Sequence, residues 1–214
     1  MRCRMRKYFY PILACVLVAS LVLSGCEGSR SETVDLENHL PKKVIEGIKI
    51  EPLPMDDEEY AILKATGSDS SLIFDVNLGE VQANRVHFWV DQYVNGEKVG
   101  SLLGLETSLE QVKDTFRLYL TTLGMRNGDE VWTIAFRQKG NVVSSKAEMP
   151  KSDYDSAMTH PMTSITANPN ETAVLGVIVR NKGKGYMESS DDVDALIRDN
   201  QEVHVLRCTI IKDR

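Results

Sequence analysis

From Val44 onward the apolar residues recur at every second position, and turn-forming pairs break the alternation at short intervals. This period constrains the fold most, because a strand points successive side chains to opposite faces whereas a helix repeats every 3.6 residues. Residues 84–94 put Val86, Phe88, Val90 and Val94 on one face and His87, Trp89, Asp91 and Tyr93 on the other. Asn95-Gly96 follows, a pair able to take the two positive φ values of a type I′ turn, and residues 97–103 form the return strand. In a second hairpin, residues 131–138 bring Trp132, Ile134 and Phe136 together, Gly140-Asn141 makes the turn and residues 142–147 come back. Residues 115–121 alternate Phe116, Leu118 and Leu120 against Thr115, Arg117 and Tyr119, with Asn127-Gly128 in the connection that follows. Further strands are expected at 44–50, 60–65, 72–78, 172–180 and 202–211.

About ten short strands with little helix imply an all-β fold, an antiparallel sandwich of immunoglobulin-like type, since two stacked sheets let every alternating strand bury one face. The best helix is 190–198, with Ser189 or Ser190 as N-cap, Asp191, Asp192 and Asp194 in the first turn and Asn200 past the end. Residues 107–113 are a weaker one. The stretch 150–171 is rich in Ser, Thr, Asp, Pro and Asn, lacks a period, and reads as a long loop within a single domain spanning 44–214.

The first 25 residues are different in kind. Met1 to Lys7 is basic, Tyr8 to Leu23 is apolar but slightly short for a membrane span, and the run stops at Leu23-Ser24-Gly25-Cys26. A branched apolar residue, two small residues and a cysteine resemble the lipobox of bacterial lipoproteins, with all four positions matching. The resemblance implies a signal peptide at 1–25, a diacylglyceryl group on the Cys26 thiol, cleavage before Cys26 and often acylation of the freed amine. Two or three acyl chains anchor stably, whereas one is marginal. Glu27 gives no sign of the inner-membrane retention that an aspartate there tends to cause in enteric bacteria. Residues 26–43 comprise the lipidated cysteine and a polar tether, whose seventeen residues from Glu27 to Lys43 reach at most about 55 Å when extended. The expected location is the outer face of a cell membrane, held by lipid. Cys3 and Cys15 would leave with the leader, so Cys208 is the one cysteine left over; it shares a strand face with Leu206 and Ile210 and reads as a buried structural thiol.

Charge narrows the partners. After Gly25 the chain carries 21 basic against 31 acidic residues, a net charge of -10, which phosphate backbones and anionic headgroups would repel. Nucleic acid is not expected as a partner.

Spacings that catalysis would require are absent: there is no G-x-S-x-G, S-x-x-K, H-E-x-x-H, C-x-x-C, P-loop or G-x-G-x-x-G. Gly183-Lys184-Gly185 reads as a flexible turn. His39, His87, His160 and His204 stand at no ligand spacing to one another, and the acidic runs at 56–59 and 191–194 lack the glycine and distal glutamate of a calcium loop. No catalytic residue, metal or cofactor is therefore assigned, apart from the covalent lipid. The candidate binding face is His87, Trp89, Asp91 and Tyr93, since an aromatic ladder beside polar groups is how many β modules hold sugars or peptides. The reading that results is a non-enzymatic binding or assembly module of the cell envelope, its partner a protein, a peptide or a polysaccharide. The alternative is a surface hydrolase with a site built from distant residues such as His160 or His87 with nearby carboxylates. A solute-binding lipoprotein is disfavoured by the lack of βα alternation.

Overall fold

A computed structural model describes residues 47–109, 115–150, 153–183 and 187–213. The leader, Cys26, the tether, the start of the strand expected at 44–50, most of the helix expected at 107–113 and Lys184-Gly185 lie outside the described residues.

Two antiparallel sheets are stacked, as the alternation requires. The first contains β1 (Ile48–Pro52), β2 (Ser70–Asn77), β5 (Phe116–Gly124), β6 (Glu130–Gln138), β7 (Asn141–Met149) and β9 (Ile165–Ala167), in the order β7-β6-β5-β2-β1-β9. The second contains β3 (Arg85–Val94), β4 (Glu97–Ser108), β8 (Ser156–Pro161), β10 (Thr172–Asn181) and β11 (Glu202–Ile211), in the order β4-β3-β11-β10-β8. The inner faces supply one continuous core. Leu72, Phe74, Leu118, Leu120, Trp132 and Ile134 of the first sheet meet Val86, Phe88, Val90, Leu206 and Cys208 of the second.

Each outer face is capped at one place by a short helix. Helix α2 (Val193–Asp199) buries Leu196 and Ile197 against Val177, Val179, Val203 and Val205 of β10 and β11. Its N-cap is Asp192, whose carboxylate accepts from Ala195 N, rather than the serine expected; Ser190 instead accepts from Asp192 N one step earlier. Helix α1 (Glu58–Ala65) corrects the strand expected at 60–65. The Asp57 side chain accepts from Glu59 N, Glu58 and Glu59 occupy the first turn and Lys64 the last, so caps and dipole decide the conformation while the short apolar run does not. Of this helix Tyr60 is buried, with Leu53 and Ile73, and Ile62 is exposed.

An ionic network fixes α1 to the first sheet. Glu59 Oε1 lies 2.7 Å from Arg117 and 2.8 Å from Arg137, while Arg117 makes a two-pronged pair with Asp75 at 2.6 and 2.7 Å. Two turns follow type I′ geometry. Asn95-Gly96 has φ values of 49° and 85°, as expected. In the second hairpin the turn residues are Lys139-Gly140, at 49° and 86°, with Gln138 opposite Asn141. The expected pair was thus one residue late, because lysine accepts a left-handed φ here when glycine follows it. The stretch expected as a loop at 150–171 contains β8 and β9, which are edge strands of opposite sheets. Both are short, and β8 takes its register from β10 rather than from a period of its own. Among the described residues no helix is long and apolar enough to cross a membrane.

Candidate functional site

The four residues read as a binding face do share the outer face of the second sheet. In register, His87 stands opposite Glu106 and Thr209, Trp89 opposite Gly104 and Arg207, Asp91 opposite Ser101 and Val205, and Tyr93 opposite Lys98 and Val203. The His87 and Trp89 rings stack with centroids 4.5 Å apart and planes 16° off parallel. They are half-buried. Asp91 is 2% exposed, accepts from Ser101 Oγ at 2.7 Å, and lies 2.9 Å from Lys98 Nζ and 3.1 Å from Arg207 Nε. Burial would push its carboxyl up, but hydrogen bonds from Lys98, Ser101 and Trp89 hold it below the usual range. Arg207 also donates to the Tyr93 hydroxyl at 3.2 Å, and Tyr93 packs at the edge of the apolar cluster under α2. Asp91 and Tyr93 are thereby occupied within the sheet, and the ring stack is the part of the strip open to a ligand.

A second group of polar residues gathers where β6 begins and β10 ends. Arg180 and Glu202 face each other in the β10–β11 register, with side chains 8% and 10% exposed. The Arg180 guanidinium sits 5.2 Å from the centroid of the Trp132 ring and donates to Glu130 Oε2, the atom that also accepts from Trp132 Nε1 at 3.0 Å. Burial pushes the Glu202 carboxyl up, and the Tyr154 hydroxyl, Arg180 and Gln92 bring it back only in part. Behind it His204 is fully buried, tilted against Trp132 at 4.5 Å, with Nε2 3.2 Å from Glu202 Oε1 but without the alignment of a hydrogen bond at either ring nitrogen. Burial, reinforced by Arg180, drives the imidazole down to about 3, so it is neutral.

Two clefts open on this group. One, of about 480 Å³, is lined by Gln92, Asn95, Tyr154, Arg180, Gln201 and Glu202; the other, of about 470 Å³, by Thr122, Glu130, Tyr154, Ser156 and Arg180. Tyr154 and Arg180 form the wall they share. No motif marks these residues, but parity does: His204 is in step with Leu206, Cys208 and Ile210, and Arg180 with Ile178, so both continue an inward face with a polar side chain.

His160 Nε2 lies 3.1 Å from Asp191 Oδ1, on the edge strand β8. Among the described residues no group of three or more His, Cys, Asp or Glu side chains is placed to hold a metal ion.

The family model described as the YgaN domain matches residues 49–210, about three quarters of the chain, from inside β1 to the penultimate residue of β11. No curated protein and no solved structure matches.

Proposed function

The chain belongs to the YgaN domain family, and for it we propose the role of a lipid-anchored, extracytoplasmic binding module of the cell envelope, without catalysis of its own. The lipobox-like run ending at Cys26 supports the anchor. The observation that carries the binding role is the cleft beside Arg180. Two charged side chains about nine-tenths buried line it, and desolvating them would cost several kcal/mol if partners did not compensate. Such convergence of polar groups with a perturbed carboxyl in a cleft makes this the candidate ligand site of the domain.

Two measurements test the two halves. Cells fed an alkyne fatty acid should label the wild-type chain and leave Cys26→Ser unlabelled and released from membranes. Equal labelling and equal partition would end the anchor reading. For the cleft, Tyr154→Ala should abolish the cellular role of the protein at unchanged abundance, and full activity of that variant would sink the binding reading.

A surface hydrolase is the second reading, favoured by the His160–Asp191 pair, in which a carboxylate could orient an imidazole. His160→Ala would then remove activity while leaving thermal stability unchanged.

A further inference from the structure

The cleft beside Arg180 has a chemistry that selects its ligand. Its charges balance. Arg180 and Lys182 face Asp153 and Glu202, and Lys182 is already paired with Asp153, so neither a strongly anionic nor a cationic ligand is drawn in. Three carboxamides, Gln92, Asn95 and Gln201, lie on the same walls. The Gln201 oxygen already accepts from Lys182 N at 2.7 Å and Gln92 is bonded to Glu202, which fixes both amides in place. The remaining Gln201 amine hydrogens and the Asn95 amide supply donors and an acceptor to the cleft. A hydroxyl is likewise donor and acceptor at once, so vicinal hydroxyls match this lining better than any singly charged group does.

Two nine-tenths-buried groups add direction. The Arg180 fork has five N–H donors, of which one on Nη2 goes to Glu130, and the Glu202 carboxyl is held beside it by the Tyr154 hydroxyl. Met149 and Pro150 supply apolar surface at the rim, and Tyr154 is the aromatic side chain of the lining, able to meet the C–H face of a pyranose ring. The volume, about 480 Å³, lies within the range of roughly 300–1,000 Å³ usual for small-molecule sites. Beyond the Tyr154–Arg180 wall the second cleft continues with the hydroxyls of Ser70, Ser156 and Thr159 and the carboxylates of Asp69 and Asp155. Arg180 and Glu130 are paired there, so this side is acceptor-rich, takes the hydroxyls of a sugar as donors and turns anions away.

We infer that the paired clefts at the Arg180 end of the sandwich bind an uncharged oligosaccharide, its rings lying across the Tyr154–Arg180 wall with Arg180 and Glu202 holding hydroxyls. This rests on the reading of the protein as a binding module and names the ligand class of that site.

The full chain, in a detergent without a sugar head, is titrated calorimetrically with chitotetraose, cellotetraose and maltotetraose, and with tetragalacturonate and inorganic phosphate as charged probes. At least one neutral tetrasaccharide should bind with Kd of about 1 mM or tighter. Tyr154→Ala and Gln201→Ala should each weaken it about tenfold, and Arg180→Lys, which keeps charge but loses the fork, at least as much. Gln201→Ala and Asn95→Ala, on the rim, keep the test decisive should Arg180→Lys fail to fold. Failure of all three neutral sugars, preference for either charged probe, or binding indifferent to these variants overturns the inference. A photo-crosslinking residue at Asn95 in living cells separates the two claims. Crosslinking to an envelope protein with no sugar binding leaves the module reading standing and removes the oligosaccharide; neither crosslink nor sugar binding removes both.

Discussion

The Tyr119 hydroxyl donates to Glu59 Oε2 at 2.8 Å, so a strand in the middle of the first sheet grips the first turn of α1. Burial first, and the Glu59 carboxylate second, push the phenol up to about 12. Because this folded value exceeds the ordinary 10, the contribution of the protonated phenol to stability is complete below pH 10 and is lost as the pH rises through about 12. In Glu59→Gln the phenol should titrate closer to 10 without reaching it, since burial remains, as read by ultraviolet absorbance of tyrosinate. The same variant leaves Arg117 and Arg137 short of a partner and should lose roughly 1–2 kcal/mol in urea unfolding, a figure kept low by the partial exposure of the network. An unchanged phenol titration would mean that α1 does not dock as described.

His204 gives the sandwich a pH dependence on the acid side. Its folded value of about 3 lies well below the ordinary 6.5, so the unfolded chain takes up a proton that the folded one refuses. Stability from this group is complete above pH 6.5 and is lost progressively as the pH falls toward 3, by on the order of 5 kcal/mol in all. Glu202 works in the opposite sense. Its raised carboxyl favours the folded state on the acid side and offsets part of the loss. Urea denaturation of wild type and His204→Leu between pH 4 and pH 7 should show the wild type falling more steeply as pH drops. Parallel curves would show that His204 is solvated.

Cys208 should be chemically silent. It is 1% exposed within the core, and burial raises its thiol to about 12, so almost no thiolate exists at neutral pH. A thiol reagent followed by peptide mass mapping should leave the Cys208 peptide unmodified in the native protein and modify it fully in guanidinium. Native labelling at Cys208 would show that β11 opens readily.

Where a period of two meets a strong turn pair, the fold was legible. The 84–103 hairpin, the inward faces of β5 and β6 and the limits of β11 all follow from apolar parity, because the same side chains that define the period build the core. Helix α1 was not legible as a helix: over six residues an alternating run and a half-buried helix look alike, and the Asp57 cap decided between them. Strands β8 and β9 carry little apolar signal because an edge strand needs only one paired neighbour. The candidate face was recognisable in outline, since parity does put His87, Trp89, Asp91 and Tyr93 side by side. That Lys98, Ser101 and Arg207 would occupy Asp91 depends on cross-strand register, which two bulges in the β3–β4 pair shift by residues no local pattern marks. The Arg180 cluster is assembled from β6, β10, β11 and the 153–155 segment, and such long-range meetings leave no spacing to read.

A bulge in β10 between Val174 and Gly176 supplies the last prediction. It turns Leu175 inward and brings Gly176 against the edge strand β8, opposite Pro161. A Cβ on Gly176 would lie 3.0 Å from the His160 carbonyl oxygen and 3.0 Å from Leu72 Cδ1. The leucine tip can rotate, whereas the carbonyl belongs to the strand backbone, so β8 itself must move. Gly176→Ala should therefore cost roughly 1–3 kcal/mol, in the manner of an overpacked core. Because Ser156 and Thr159 of β8 line the second cleft, the loss should appear first as faster amide exchange along 156–161, before global unfolding is affected. Exchange in β8 as slow as in the wild type, with full stability, would show that the strand does not press on Gly176.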